Sequence, residues 1–587
     1  MNYNLNQLTN SQEKSSGLKA VRKLYLLIST EKKSLAIAFL AMITNALLQL
    51  LGPLLIGHAV DAYIVTGQYR GVLIISAVLL GMYLLSLVTS YFQTKLMGTI
   101  GQHTLFNLRN SLFNKLQELP IAFFNQNKAG DLISRLNNDT DKINQFFAQS
   151  LMQFISSIMT MIGAGIFLLS INLELGAAAL SPALVILIFT LIVSPWVKRK
   201  NAINLKTVGA MSGEIQESLN NFRVIIAYNR RDYFRNRFNE ANTKNYTTAI
   251  GAGLANNVFL PVYGFLTSLA QLAVLAFGIY LISQGAFTIG LLVSFLAYAN
   301  SFYQPLRQLA TLWTNFQLAM AGWDRISLIL SMESDLETMP GVRSKERKGA
   351  LLEFEDVSFG YPNGREVLHH VNFALEPGKT YALVGPTGGG KTTTASLLAR
   401  LYDPTKGTVW LKGRDIRGYT PEERIKEIGF ILQEPFLFTG TVRDNLLYGN
   451  ERLVNSTDEE LEAVIHAAHL QQLLSLFEDG LKTPVSVGGE NISLGQKQLI
   501  AFMCAVLREP EILILDEASA NIDTITEQLL SDILAQLPET TTRVIIAHRL
   551  NTIRNADEIF FVNSGNVTRA GSFDEAVGML LEGKRGS

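Results

Sequence analysis

The chain has 587 residues, of which 48% are hydrophobic and only 17% are charged. This length exceeds one ordinary domain, and the composition is too apolar for a purely soluble protein. Fifty basic residues balance fifty acidic ones, which excludes a global electrostatic attraction to nucleic acid. The single cysteine, Cys504, excludes intrachain disulfides, and we interpret it as a small packed side chain rather than a nucleophile.

The first half of the chain has the pattern of a membrane domain. Residues 1–16 are polar and lack the apolar core of a cleavable signal peptide. Residues 18–33 mix apolar and basic side chains, which predicts a short helix on the inner membrane surface. Charge-free stretches long enough to cross a bilayer follow, and a break at 283–285 divides the longest. They predict six spans, at 34–60, 71–94, 143–173, 175–197, 252–282 and 288–308.

The connections between these spans are unequal. Those near 61–70, 172–174 and 283–288 are short, whereas 95–142 and 198–244 are long and basic. The positive-inside rule then places the long connections, both termini and the C-terminal half in the cytoplasm of a multi-pass protein of the cell (inner or plasma) membrane. Helical periodicity continues through both long connections, so we predict helices that extend beyond the membrane and turn at their tips.

Single polar side chains lie inside the predicted spans. Each is a candidate for substrate contact and also for hydrogen bonding between helices. They show no chain of acidic residues that would indicate a proton relay, so we expect a nucleotide to supply the energy for transport. These side chains are Asn45, Gln49, His58, Gln93, Gln153, Asn300 and Gln304.

The segment 385–393 matches the phosphate-loop pattern G-x-x-x-x-G-K-[ST] and follows an apolar run typical of a strand. Its glycines let consecutive N–H groups face phosphate oxygens, Lys391 supplies a positive charge, and the Thr392 hydroxyl can ligate Mg²⁺. The helix expected next directs its N-terminus at the same anion. The members of this loop are Gly385, Pro386, Thr387, Gly388, Gly389, Gly390, Lys391, Thr392 and Thr393.

Two later apolar runs read as buried strands that end in polar residues. The first, 512–515, is followed by Asp516, a candidate Mg²⁺ ligand, and by Glu517, which is placed to act as a general base toward water. The second, 543–547, ends at His548, which is placed to contact the γ-phosphate. The order of these residues after a phosphate loop makes the interpretation specific.

Ser493, Gly495 and Gln496 open a helical run and predict a second phosphate-binding helix start. This start lies too far along the chain from the phosphate loop for local folding to bring both to one phosphate. We therefore expect two chains, each completing the site of the other. Tyr361 follows an early strand at 354–359, where a nucleotide base could stack on it.

These residues, in this order, resemble the ATP-binding cassette (ABC) transporters, specifically the exporter-type half-transporters, over nearly the whole chain. The resemblance implies ATP and Mg²⁺ as cofactors and ATPase activity coupled to transport. It implies these roles: Tyr361 as the adenine-stacking aromatic, Gly385–Thr392 as Walker A, Gln433 as the Q-loop glutamine at the metal and in catalysis, Ser493–Gln496 as the signature, Asp516 as the Walker B aspartate, Glu517 as the catalytic glutamate, 519–523 as the D-loop and His548 as the switch histidine.

The resemblance also implies a multidomain architecture. A six-helix all-α transmembrane domain of the type I exporter fold would precede an α/β P-loop nucleotide-binding domain. We expect a cytoplasmic N-terminus with an interfacial helix at 1–33, the transmembrane domain at 34–335, a linker at 336–350 and the nucleotide-binding domain at 351–587. The tips at 120–126 and 218–224 resemble coupling helices. A dimer would close on two ATP molecules and drive exchange between inward- and outward-facing states.

Three departures from the family pattern stand out: Leu494 where glycine is usual, 485–489 without its usual acidic residue, and Cys504 where arginine is common. They resemble the catalytically complete subunit of bacterial heterodimeric multidrug exporters, so a heterodimer is favoured over a homodimer. Uncharged spans favour an amphipathic or hydrophobic substrate, such as a drug, a lipid or a peptide. An importer on the exporter fold, and an ATP-gated regulatory or channel module that does not hydrolyse ATP, stay open as alternatives.

Overall fold

The computed structural model describes residues 3–5, 7–8, 31–339, 341–346, 349–362, 364–516, 524–546, 554–571 and 573–585. Of residues 307, 310, 524–527 and 580–585 it describes the backbone alone. The predicted surface helix at 18–33 lies almost entirely outside these residues.

The chain divides into two compact units that alternate along the sequence. Residues 11–117 and 130–331 form one, the helical unit. Residues 1–10, 118–129 and 332–587 form the other, the C-terminal unit. The short segment 118–129 thus groups with the C-terminal unit, although its position in the sequence is between two predicted spans.

The helical unit contains long helices joined by short turns. π-Helical turns interrupt the helical path at Val60–Ile64, Arg135–Asp139 and Phe146–Ser150. Its α-helices are Lys32–Ala59, Tyr69–Glu118 (whose last residue belongs to the other unit), Ala129–Ser134 (whose first residue belongs to the other unit), Thr140–Gln145, Leu151–Ile171, Leu173–Asn220, Phe222–Ala227, Arg231–Asn257, Phe259–Ser283 and Ile289–Leu330.

Five helical stretches of the described chain are long and apolar enough to cross a membrane by length and composition: Lys32–Ile64, Tyr69–Glu118, Ala129–Ile171, Leu173–Asn220 and Arg231–Ser283. The sixth predicted span, 288–308, lies on the 42-residue helix Ile289–Leu330. That helix is not among the five because polar side chains, including Asn300 and Gln304, lower its hydropathy. Several spans continue as long helices beyond their apolar segments, as the periodicity predicts.

Two helix starts in this unit coincide with side chains that cap free N–H groups. The Asn172 side chain accepts a hydrogen bond from the backbone of Leu175 at 2.9 Å. Thr288 caps the last helix in the same way, and the Asp61 carboxylate adds a second cap from another helix. Asp61 accepts from the Thr288 hydroxyl at 2.5 Å and from the Gly290 N–H at 2.8 Å. The first and last helices are therefore joined at this end.

Two of the polar side chains predicted inside the spans join helices. The Ser86 hydroxyl donates to Asn45 Oδ1 at 2.6 Å, and Gln153 Nε2 donates to Gln308 Oε1 at 2.9 Å. Buried hydroxyls add similar bonds, as when Tyr298 donates to the Leu50 carbonyl at 2.6 Å. Hydrogen bonds of this kind hold helices together where lipid provides no hydrophobic drive.

An ion-pair network lies in the helical unit around Asp139, whose side chain is 3% exposed. Arg325 pairs with this carboxylate through two nitrogens, and its Nε donates to Oδ2 at 2.6 Å. Lys142 approaches the other oxygen at 3.2 Å. Arg135, which is also buried, donates to the Arg325 carbonyl at 3.0 Å. The network therefore ties the turn Arg135–Asp139 to the last long helix.

The C-terminal unit is built on two main sheets. One is antiparallel, with order β2-β1-β4-β5, and the other has order β12-β11-β3-β10-β9-β6 and is parallel except for β12; β7 and β8 form a small pair. The strands are β1 Leu352–Gly360, β2 Glu366–Leu375, β3 Thr380–Val384, β4 Lys406–Leu411, β5 Arg414–Asp415, β6 Ile428–Ile431, β7 Gly440–Thr441, β8 Pro484–Val485, β9 Ile512–Asp516, β10 Thr542–Ile546, β11 Glu558–Asn563 and β12 Asn566–Ala570.

Helices pack around these strands and complete an α/β unit. The central strands β3 and β9 are almost completely buried, as expected for strands covered on both faces. The sequence predicts this parallel sheet, but it does not reveal that the early strand β1 belongs to a separate antiparallel sheet. The helices of this unit are Ile121–Gln126, Lys391–Leu398, Pro421–Glu427, Val442–Leu446, Asp458–Ala467, Gln471–Leu474, Leu494–Val506, Thr524–Gln536 and Phe573–Arg585.

We predict that replacing Arg325 by methionine destabilises the protein by roughly 3 kcal/mol. The change removes the main partner of a buried carboxylate, and breaking a buried pair typically costs about 3–5 kcal/mol. Thermal unfolding in detergent would measure it. Arg109→Met is the matched control, because the Arg109–Asp141 pair is exposed and such pairs contribute about 0–1 kcal/mol. Equal shifts for both variants would contradict the prediction.

Candidate nucleotide site

The phosphate-loop segment lies between strand β3 and the helix Lys391–Leu398. Gly385, Gly388 and Gly390 have φ angles of 148°, 81° and 116°, a region that favours glycine. The Lys391 side chain is buried and donates to the carbonyls of Gly385 at 2.9 Å and Pro386 at 3.1 Å. The ammonium group is thus held across the loop that the sequence predicts to surround phosphate.

The floor of this loop is the end of strand β11. A Cβ at Gly385 would lie 1.9 Å from the Val562 carbonyl oxygen, and one at Gly389 would lie 2.5 Å from the same atom. The Gly565 N–H donates to the Gly389 carbonyl at 3.1 Å. Two of the loop glycines, Gly385 and Gly389, are therefore required by the neighbouring backbone.

Sheet register brings the loop and Asp516 to the same edge. Ile546 of β10 is paired with Leu383 of β3 on one side and with Asp516 of β9 on the other. The Thr392 hydroxyl lies 3.5 Å from Asp516 Oδ1, and the Asp516 side chain is buried. A hydroxyl and a carboxylate at this separation are oxygen ligands of the kind that Mg²⁺ prefers. The donor set therefore fits the predicted metal.

Tyr361 belongs to an aromatic cluster beside the helix that follows the loop. Its ring meets the ring of Tyr402 edge-on at 5.4 Å between centroids, and it meets Phe359 at 5.0 Å. Its hydroxyl lies 3.1 Å from the Thr393 hydroxyl. With 37% of its surface exposed, Tyr361 keeps a face available for stacking.

The predicted signature segment forms a helix start, as its sequence indicates. Ser493 caps the helix Leu494–Val506: its hydroxyl accepts from the Gln496 N–H at 3.2 Å, and Gln496 Oε1 accepts from the Ser493 N–H at 3.1 Å. Gln496 Nε2 donates to the Leu476 carbonyl at 3.2 Å. The Gln496 side chain thus holds the local conformation of this helix start.

The remaining predicted residues are partly described. Gln433 follows strand β6, and its carbonyl accepts from Gln498 Nε2 at 3.4 Å, so it is joined to the signature helix. Glu517, 519–523 and His548 lie outside the described residues. The strands that precede Glu517 and His548 are β9 and β10, which are neighbours in the sheet.

The two predicted tips both contain short helices, Ile121–Gln126 and Phe222–Ala227. The first belongs to the C-terminal unit, where Asn125 Nδ2 donates to the Tyr402 hydroxyl at 2.8 Å. The second belongs to the helical unit and exposes Phe222, Val224 and Ile226. Exposed apolar side chains on a short surface helix are typical of a contact with another protein surface.

An aromatic groove of about 260 Å³ lies on the C-terminal unit beside Gln433. Phe436, Phe438 and Tyr448 line it with exposed rings, and the rings of Phe438 and Tyr448 stack at 4.2 Å. Cys504 lies at its edge, and burial raises the pKa of this thiol. A raised pKa disfavours the nucleophilic thiolate, in agreement with the interpretation of Cys504 as a packed side chain.

Sequence reasoning missed Tyr402 and Asn125. Both are ordinary residues in the sequence, and only folding brings them together from positions 277 residues apart. A weak signal was available in the position of Tyr402, because it lies shortly after the helix that carries the phosphate-loop lysine.

Comparison with known proteins gives a consistent result. The family model of the ABC transporter transmembrane region matches residues 35–306, and that of the ABC transporter matches residues 368–520. The uncharacterized ABC transporter ATP-binding protein YfiC of Bacillus subtilis is 35% identical, with 95% of this chain and 92% of that protein covered. A fatty acid ABC transporter ATP-binding/permease protein of Mycobacterium bovis is 32% identical, with 85% and 78% covered. A multidrug resistance ABC transporter ATP-binding and permease protein of Lactococcus lactis is 31% identical, with 85% and 84% covered.

We predict that Gly385→Ala destabilises the nucleotide-free protein far more than Gly388→Ala does. Both positions have positive φ, which costs alanine about 1–3 kcal/mol. Only at Gly385 does the added Cβ meet a backbone oxygen, whereas nothing lies within 4 Å of a Cβ at Gly388. Differential scanning calorimetry of both variants in detergent without nucleotide measures the difference in their stability. Equal losses would show that the Val562 contact is unimportant.

Proposed function

We propose that this chain works in a dimer that exports an amphipathic or hydrophobic compound. The reason is that the chain belongs to the ATP-binding cassette transporters and is an exporter-type half-transporter. The chain is a multi-pass membrane protein with its permease and ATP-binding parts fused, and its transport is coupled to ATP hydrolysis. The domain boundaries proposed are 34–335 for the transmembrane part and 351–587 for the nucleotide-binding part.

The observation that carries the proposed chemistry is the 3.5 Å approach of the Thr392 hydroxyl to Asp516. Thr392 belongs to the loop and Asp516 to a buried strand, so one cation at this edge can contact both. Mg²⁺ bound there would neutralise charge on the β- and γ-phosphates of ATP. Gln433, at the end of β6, is the proposed third protein ligand on the same side of the sheet.

Each of the other residues then has a role in binding ATP or directing water. Lys391 exchanges its two loop carbonyls for phosphate oxygens, and Tyr361 stacks on the adenine. Glu517 orients the attacking water and accepts its proton, as a general base does. His548, which follows strand β10 by two residues in the sequence, contacts the γ-phosphate. The roles proposed for Glu517 and His548 are supported by their positions in the sequence shortly after the neighbouring strands β9 and β10.

We propose a dimer because the phosphate loop and the signature helix start lie in different parts of one fold. Ser493 and Gly495 would face the γ-phosphate held by the loop of a second half-transporter, so that ATP joins the two subunits. Loss of the γ-phosphate removes the charge that joins them, and the subunits separate. The departures at 485–489 and Cys504 favour a different half-transporter as the partner over a second copy.

The substrate class follows from the helical unit and is supported by the relatives. Its predicted spans present many exposed apolar side chains and single amides, and the buried charges Arg135 and Asp139 precede the predicted span 143–173. Such surfaces bind amphipathic molecules better than small anions. One relative is named for fatty acids and another for multidrug resistance. The basic long connections support the proposal that both termini and the ATP site lie on the cytoplasmic side of the cell membrane.

We predict that Glu517→Gln lowers the steady-state ATPase rate of the lipid-reconstituted dimer by a factor on the order of 10²–10⁴ while ATP binding persists. This is the usual contribution of a positioned general base. Glu462→Gln, a matched change at an exposed glutamate of the same unit, is the control and leaves the rate unchanged. An undiminished rate in Glu517→Gln would refute the assigned role of that residue.

The same assay separates the alternatives when the wild-type chain is measured alone and with candidate partner half-transporters. Turnover by the chain alone, in a stable dimer, would support a homodimer; turnover that appears only with a second half-transporter supports the heterodimer. ATP binding without Glu517-dependent turnover in either state would support the non-hydrolysing module. Uptake of labelled substrate into right-side-out vesicles would support an importer.

A further inference from the structure

The N-terminal segment, residues 3–5, packs into the C-terminal unit. Terminal segments are usually poorly ordered unless contacts with the rest of the fold fix them. Tyr3 is 1% exposed and Leu5 is fully buried. Both belong to the same compact unit as the helix Ile121–Gln126 and the segment after Met332. The burial of both side chains indicates a specific contact.

The main chain of this segment is held by amide side chains at the end of the helix Ile121–Gln126. Tyr3 N–H donates to Gln126 Oε1 at 3.0 Å, and Leu5 N–H donates to Asn127 Oδ1 at 3.1 Å. In return, Asn127 Nδ2 donates to the Tyr3 carbonyl at 2.9 Å. Asn127 also donates to the Phe123 carbonyl at 2.8 Å, which ends the helix. The segment and the helix end are therefore one hydrogen-bonded piece.

The Tyr3 side chain joins that piece to a third segment. Its ring packs edge-on against Phe123 with 6.3 Å between centroids. Its hydroxyl donates to the Glu333 carbonyl at 3.2 Å and accepts from the Asp335 N–H at 3.0 Å. Burial and the nearby Asp335 raise the pKa of Tyr3, so the phenol keeps the proton that it donates. Phenylalanine would fill the same space but lose both hydrogen bonds.

The other face of the helix Ile121–Gln126 contacts the aromatic cluster at the candidate nucleotide site. Asn125 donates to Tyr402, Tyr402 packs edge-on against Tyr361, and the Tyr361 hydroxyl lies beside Thr393. A cavity of about 340 Å³ lies next to these contacts, lined by Pro120, Ala122, Asp335, Leu336 and Tyr402 among others. The cavity leaves this face of the helix incompletely packed, so the hydrogen bonds at the end of the helix add to the packing of Phe123 in holding its position.

We propose that Tyr3 is a positioning residue for the nucleotide: it clamps the helix Ile121–Gln126 to Glu333 and Asp335, and the helix in turn orients Tyr402 and Tyr361. The proposal rests on the proposed function, in which Tyr361 stacks on adenine. It assigns to the N-terminal segment a part in nucleotide affinity, which neither the family models, matching from residue 35 onward, nor the names of the relatives assign.

The test uses the full-length transporter, reconstituted in lipid with its partner where one is required. Tyr3→Phe is expected to raise the KM for ATP about three- to tenfold, the usual factor for lost hydrogen bonds, with kcat changed less than about twofold. Asn125→Ala is expected to do the same. The double variant is expected to match the larger single effect, because both residues act through one chain of contacts.

A second measurement reports on the clamp itself. Hydrogen exchange of residues 121–127 is expected to be faster in Tyr3→Phe than in the wild type, with or without ATP. Unchanged exchange overturns the clamp. Faster exchange with an unchanged KM, or KM effects that multiply in the double variant, overturns the positioning role and leaves only a contribution to stability.

Tyr361→Ala separates failure of this proposal from failure of the proposed function. If Tyr361→Ala does not raise the KM for ATP, stacking on Tyr361 is wrong, and the positioning role of Tyr3 falls with it. If Tyr361→Ala raises the KM and Tyr3→Phe does not, stacking stands and the role of Tyr3 alone is overturned.

Discussion

The parallel register of β3, β10 and β9 is the constraint on which the nucleotide site depends. Ile546 lies opposite both Leu383 and Asp516, so the phosphate loop and the buried carboxylate leave the sheet at the same level. Side chains alternate between the two faces of a strand, so a slip of one residue would turn Asp516 away from Thr392. The strands are almost entirely apolar inside, and their burial makes such a slip costly. Chemistry at this edge thus depends on packing several residues away.

The sequence predicts correctly those elements of the site that a short continuous segment encodes. The phosphate loop, its helix, the strand that ends at Asp516 and the Ser493 helix start each occupy a short segment, and the structure has the expected elements at all four places. Glu517 and His548 stay predictions, because they lie outside the described residues. The separate antiparallel sheet around β1 was not predicted, since alternation in one strand does not specify its neighbours.

Contacts between distant segments are the part that the sequence could not supply. Asn125 and Tyr402 have no local pattern that marks them, and Tyr3 lies 330 residues from the carbonyl it contacts. In the helical unit, the sequence identifies Asn45 and Gln153 as polar but leaves open whether each meets a substrate or another helix. The structure gives both a partner on a neighbouring helix. Asp61, which lies in a predicted loop, proves to cap a helix that begins more than two hundred residues later.

The division of the chain into alternating segments has a consequence for biosynthesis. The C-terminal unit includes residues 1–10 and 118–129, which leave the ribosome long before residues 332–587 exist. Until then Tyr3 can contact only its partners in the segment 118–129, such as Phe123 and Asn127, because Glu333 and Asp335 have yet to be made. The early segments must stay unpaired with their final surface while the membrane helices insert. This unit therefore completes its fold only near the end of translation, and a chain truncated in the second half would leave the otherwise buried side chains of Tyr3, Leu5 and Phe123 exposed, as targets for chaperones and proteases.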